Sequence, residues 1–111
     1  MTFEAYDVVV VPFPFVDKAA GKRRPALVLS GNGFNGAHDQ FLLAMITTAK
    51  ISHWPSDVDL RDWSTAGLTQ ACKVRFKVFT LEAARVVRRI GRLSDTDRQA
   101  VARSLRAALE L

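Results

Sequence analysis

Arg24, Thr47, Thr48, Arg75 and Lys77 are the side chains of this sequence best suited to chemistry, each at or beside the end of an apolar, strand-like run. They form a set of cations and hydroxyls with no carboxylate among them. Arginine holds its donors in a rigid fork and stays charged at any physiological pH. Such a set suits a phosphodiester. In RNA the substrate supplies its own nucleophile, the 2′-hydroxyl. The protein must orient that hydroxyl, stabilise charge on the phosphoryl oxygens and assist the departing 5′-oxygen. DNA, which lacks the hydroxyl, would be spared. Each residue has a structural reading too: Arg24 paired with Asp17, Thr47 ending a strand, Arg75 and Lys77 on a solvated face.

Other chemistries find less support. His38 and His53 lie far apart in loop-like sequence, with no ligand-spaced partner, so no metal site is expected. Ser30 lacks a nucleophile-elbow context, and Cys72 has no activating motif and reads as a small buried residue. As the only cysteine, Cys72 cannot form an intrachain disulfide, which fits a reducing compartment. Gly31-Asn32-Gly33-Phe34-Asn35-Gly36 has the form GxGxxG, but a dinucleotide site needs a strand before it and a helix after. Here the stretch reads as a loop running into another strand, so no cofactor is expected.

The elements that must position these residues are mostly strands. Val8–Val11 is a β-branched run, buried on both faces and stopped by Pro12 and Pro14. A turn over Val16–Lys22 leads to Lys22-Arg23-Arg24-Pro25 and a second strand, Ala26–Ser30. Pro25 biases Arg24 towards an extended backbone and so fixes where its side chain starts. Phe41–Ile46 is a third strand, ending in Thr47-Thr48, and Val58 with Leu60 suggests a short one. Lys73–Phe79 alternates, with Lys73, Arg75 and Lys77 on one face and Val74, Phe76 and Val78 on the other. Cations on such a strand lie about 6.6 Å apart along one surface. Val86–Leu93 reads as a last strand broken by Gly91. Ser94 then caps a helix, Asp95 and Asp97 suit its dipole, and Val101, Leu105, Ala108 and Leu109 form its apolar stripe.

The 111 residues suit a single domain, 1–111, able to bury one core. Lys and Arg number 16 against 11 acids, a net charge of +5 that favours a polyanionic partner such as nucleic acid. The charge is uneven: Lys73–Arg92 holds seven cations and one acid, Glu82, whereas 52–62 is acidic through Asp57, Asp59 and Asp62. The N-terminus has no signal-peptide pattern and no apolar run could span a bilayer. A cytoplasmic setting with no membrane partner is expected.

Ordered pieces of the chain resemble the PemK/MazF family of type II toxin–antitoxin toxins. They are Asp7-Val8-Val9-Val10-Val11-Pro12-Phe13-Pro14-Phe15, then Lys22-Arg23-Arg24-Pro25-Ala26-Leu27-Val28-Leu29-Ser30, then Met45-Ile46-Thr47-Thr48. Val74-Arg75-Phe76-Lys77-Val78-Phe79-Thr80-Leu81 and Ile90-Gly91-Arg92-Leu93-Ser94 follow in the family's order. The resemblance implies a mainly β fold, a small SH3-like barrel with a C-terminal helix, that dimerises and is neutralised by a cognate antitoxin laid across it. It implies metal-independent cleavage of single-stranded mRNA, leaving a 2′,3′-cyclic phosphate and a 5′-hydroxyl. By position, Arg24 and Thr47 would be catalytic, with Arg23, Thr48, Arg75 and Lys77 contacting RNA. Two departures stand out. Tyr6 replaces the Gly that many members carry before the first-strand acid, and Lys77 stands where some carry an acid. The alternative is a non-catalytic barrel toxin or binding module that blocks a protein partner such as DNA gyrase. Against it stands the Arg24/Thr47 pair, which a pure binder does not need.

Overall fold

The computed structural model describes residues 2–12 and 22–111. The expected turn after the first strand, with Asp17, and the Phe13-Pro14-Phe15 segment lie outside the described residues.

The strands are β1 (Asp7–Pro12), β2 (Arg23–Val28), β3 (Gln40–Thr48), β4 (Val58–Asp59), β5 (Cys72–Glu82) and β6 (Arg88–Arg92). They form one six-stranded antiparallel sheet in the order β4-β5-β3-β2-β1-β6. The helices are α1 (Asn32–His38) and α2 (Asp95–Leu109). No helix among the described residues is long and apolar enough to cross a membrane.

The valine run of β1 is apolar throughout because both faces of the sheet are covered. Val8 joins Leu27, Ala44, Ile46, Val74, Leu93 and Val101 in one core. Val9 and Val11 join Ala26, Val28, Phe41, Leu43 and Phe79 in a second core on the opposite face. Phe3 closes over the second, its ring edge-on to Phe41 at 5.6 Å. The first core also contains Val58 and Leu60 from one end of the sheet and Leu93 from the other, so the sheet is curled round it. The curl is drawn tight where the turn at Ala66–Gly67 meets β6. A Cβ built on Gly91 would fall 2.2 Å from the Ala66 carbonyl oxygen, and Gly67 takes φ +85°. Only glycine allows that approach at both positions.

Helix α2 begins as expected: the Ser94 side chain accepts from the Asp97 N–H at 3.2 Å. Asp97 does more than favour the dipole. Buried, it accepts from the N–H groups of Arg61 at 2.9 Å and Asp62 at 2.8 Å, tying the helix to the loop after β4. The apolar stripe reaches the core only in part. Val101 is fully buried and Leu105 half-buried, whereas Ala108 and Leu109 are exposed as the helix runs past the sheet.

One element differs from the sequence reading. The glycine-rich stretch after β2 is not a loop but helix α1. Its residue Asn35 is buried and accepts from the Ser30 hydroxyl, while its amide donates to the Ser30 carbonyl at 3.1 Å. Ser30 in turn accepts from Leu42 N–H at 2.9 Å. These side-chain bonds outweigh the helix-disfavouring glycines. The dinucleotide reading still fails, now because β2 and β3 are antiparallel and the unit is not βαβ.

Candidate functional site

The ladder between β2 and β3 ends at Ala26↔Met45. Pro25 has no N–H to carry it further, so the two strands part there. The same register carried two residues on sets Arg24 against Thr47. The gap is a cleft of about 420 Å³ whose lining includes Arg23, Arg24, Thr47, Thr48, Thr69 and Gln70. Ile51, Leu68 and Cys72 supply apolar wall.

Arg24, Arg23, Thr47 and Thr48 are thus brought together at one cleft. Arg24 is half-buried, its Nη1 donating to the Arg23 carbonyl at 3.4 Å. Both threonines are half-buried at the end of β3, opposite Lys73 and Cys72. Thr48 also closes a turn by accepting from Ile51 N–H at 3.2 Å. No carboxylate lines this cleft among the described residues. Burial pushes the Cys72 thiol pKa up, which keeps it protonated and a poor nucleophile.

Arg75 and Lys77 do not line the cleft. The strand that carries them is not an open cationic face: Lys73 and Arg75 are 2% and 6% exposed. The loop before β4 covers them. Arg75 grips Asp57 with two donors, Nε at 3.0 Å and Nη2 at 2.8 Å, and also donates to the Ser52 carbonyl. Its guanidinium lies 4.7 Å from the Trp54 ring centroid, a cation–π contact. Lys73 donates to the carbonyls of Ile51 at 2.8 Å and Ser52 at 2.7 Å and lies 3.3 Å from Asp57. The Arg75 hydrogen bond, ahead of all else, lowers the Asp57 pKa from 3.8 to about 2. That same bond raises the pKa of Arg75. Alternation also breaks after Arg75. Met45 pairs with Arg75 but Ala44 with Val78, so Phe76 and Lys77 form a bulge that leaves Val78 exposed and Phe79 buried. Arg75 therefore reaches the cleft only indirectly, by fixing the loop that supplies Ile51.

Sequence reasoning missed part of the cleft. Thr69 and Gln70 gave no signal beyond polar loop residues. Arg88 and Arg89 stood out only as part of a basic run. They line an adjoining cleft of about 620 Å³ that shares Arg23, Arg24, Pro25, Leu68 and Thr69 with the first.

Among the described residues no cluster of His, Cys, Asp and Glu could hold a metal ion. The site offers guanidinium and hydroxyl groups, a set that can bind and polarise a phosphodiester.

The fold is shared with solved toxins. An endoribonuclease in complex with its cognate antitoxin, from Mycobacterial species, superposes with a TM-score of 0.77 at 15% identity, covering 99% of this chain and 97% of that one. MazF from Deinococcus radiodurans gives 0.76 at 20% identity, covering 100% and 99%. Mycobacterium tuberculosis toxin MazF-mt6 gives 0.73 at 21%, covering 95% and 97%. No curated protein matches the chain. The profile of one sequence family matches residues 4–109, nearly the whole length. The chain belongs to that family, the PemK-like, MazF-like toxins of type II toxin–antitoxin systems.

Proposed function

We propose that the protein is an endoribonuclease toxin that cleaves single-stranded mRNA in the cytoplasm without a metal ion. The observation that carries this reading is the meeting of Arg24 and Thr47 at one cleft lined by no carboxylate among the described residues. In the reaction the 2′-oxygen loses its proton and bonds to the neighbouring phosphorus. The bond to the 5′-oxygen breaks and that oxygen takes up a proton, leaving a 2′,3′-cyclic phosphate and a 5′-hydroxyl with no water consumed. Arg24 stabilises the charge that gathers on the phosphoryl oxygens and donates towards the leaving oxygen. Thr47 fixes the scissile phosphate, and Thr48 and Arg23 hold the strand beside it. Arg75 acts as a positioning residue through the loop it pins.

Membership of the family supports two partners, a second copy of the chain and a cognate antitoxin lying over the basic cleft.

The test is cleavage of a long single-stranded RNA in EDTA. Wild type should cut it, and Arg24→Ala should lower kcat about 100-fold or more, the usual cost of one transition-state donor. Intact RNA with wild type, or full activity in Arg24→Ala, defeats the mechanism. Intact RNA together with inhibited DNA supercoiling would replace it with the gyrase-blocking reading.

A further inference from the structure

The adjoining cleft has a built-in cation. Beyond the wall it shares with the first, it is lined by Val10, Gly67, Arg88, Arg89 and Ile90, with no carboxylate among the described residues. Its two arginines are not equivalent. Arg89 is directed to the buried carboxylate of Asp7, at 3.4 Å, where Arg92 also donates at 3.0 Å. Arg88 is exposed and enters no ion pair among the described residues.

A bulge decides which arginine stands opposite Val10 in the cleft wall. Val8 pairs with Gly91, but Val9 pairs with Arg89 and Val10 with Arg88, so Ile90 is an extra residue in β6. Without it Arg89 would stand opposite Val10. With it, Arg88 does, and Val10 is paired on its other side with Pro25. Residues directly opposite in a sheet share a face. Arg88, Val10 and Pro25 therefore form one row across the sheet; Arg24, paired with Val11, starts from the other face, and it shares with Arg88 the lining of this cleft. The row spans two strand spacings, roughly 10 Å.

We propose that Arg88 forms a second phosphate subsite, gripping a backbone phosphate that flanks the scissile one held at Arg24. This rests on the ribonuclease reading above. Arg24 and Thr69 stand on the ridge between the clefts, so a strand that leaves the first past Arg24 enters the second. Arg24 and Arg88 both line that second cleft, so one strand crossing the ridge can meet each in turn. Val10 and Ile90 give an apolar floor that offers the guanidinium no competing acceptor side chain. The competing account is that Arg88 only protects the edge of β6 from pairing with another strand.

The experiment compares wild type, Arg88→Ala and Arg88→Lys. Fluorescence anisotropy with mixed-sequence 2′-O-methyl single-stranded RNA, which lacks the attacking hydroxyl, measures binding across a salt series. Arg88→Ala should bind about tenfold more weakly. Its slope of log affinity against log salt should be shallower by about 0.7, the share of one phosphate on a single strand. Arg88→Lys should recover most of the slope. In cleavage the loss in kcat/KM should fall in KM. Trimming the RNA on the side that occupies this subsite should bring wild type down to the variant. Equal affinity and slope in wild type and Arg88→Ala would overturn the subsite in favour of edge protection. A loss confined to kcat would overturn it in favour of a role in the chemistry. A wild type that never cleaves RNA defeats the parent reading instead, and the two failures are told apart by the cleavage assay.

Discussion

At the scale of single residues, Asp57 and Tyr6 carry unusual burdens. Asp57 pairs with both Lys73 and Arg75, the one carboxylate among the described residues to do so, and its side chain is 2% exposed. With its pKa depressed from 3.8 to about 2, it contributes stability that is fully present above pH 3.8 and lost as pH falls through about 2. The shift corresponds to about 2 kcal/mol. Asp57→Asn should destabilise the protein by about 3 kcal/mol at pH 7, because two buried cations lose their counter-charge. In urea unfolding the gap to wild type should narrow towards pH 2; a gap independent of pH would contradict the assignment. Tyr6 has φ +73°, a conformation that favours glycine. Glycine, with no Cβ, would take that conformation without strain. Here the ring is kept, packed on the first core with Arg98 5.8 Å away. Both Tyr6→Gly and Tyr6→Ala lose that packing, but only alanine keeps a Cβ at positive φ. The glycine variant should therefore be the more stable of the two by about 1 kcal/mol in thermal or urea melts.

At the scale of elements, bulges and close approaches aim the site. Pro25 ends a ladder and opens the first cleft, the β6 bulge sets Arg88 opposite Val10 in the adjoining one, and the β5 bulge ends the alternation that the sequence advertised. The contact of Gly91 with Ala66 and Gly67 holds the turn that leads into Leu68 and Thr69, the ridge between the two clefts. Gly91→Ala should push that turn outward, lowering stability by about 3 kcal/mol, as overpacking does, and weakening RNA binding as well. An unchanged denaturation midpoint would show that the turn can yield at no cost. The strands themselves were legible because their apolar runs are short and bounded by Pro, Gly and charge. Helix α1 was not, since it is held by side-chain hydrogen bonds between Ser30 and Asn35 and by the tie of Ser30 to Leu42 of β3, which its glycine-rich composition does not advertise.

At the scale of the whole molecule, the curled sheet places one core inside and a second outside, and chemistry collects where its strands part. The net charge of +5 favours a polyanionic partner, an attraction that salt should weaken. The sequence by itself determined the local placement of several key residues: Arg24 fixed before Pro25, Thr47 at a strand end, Ser94 opening the last helix. Those follow from local rules of backbone restriction, periodicity and capping. Which cations are free to meet a phosphate was decided only by the tertiary structure. Arg75 looked like a surface cation until Asp57, from a distant loop, buried it, and Arg88 looked like one charge in a run until a bulge set it opposite Val10 in a cleft wall. Burial, ion pairing and bulge register depend on partners far away in the chain, and no local pattern encodes them.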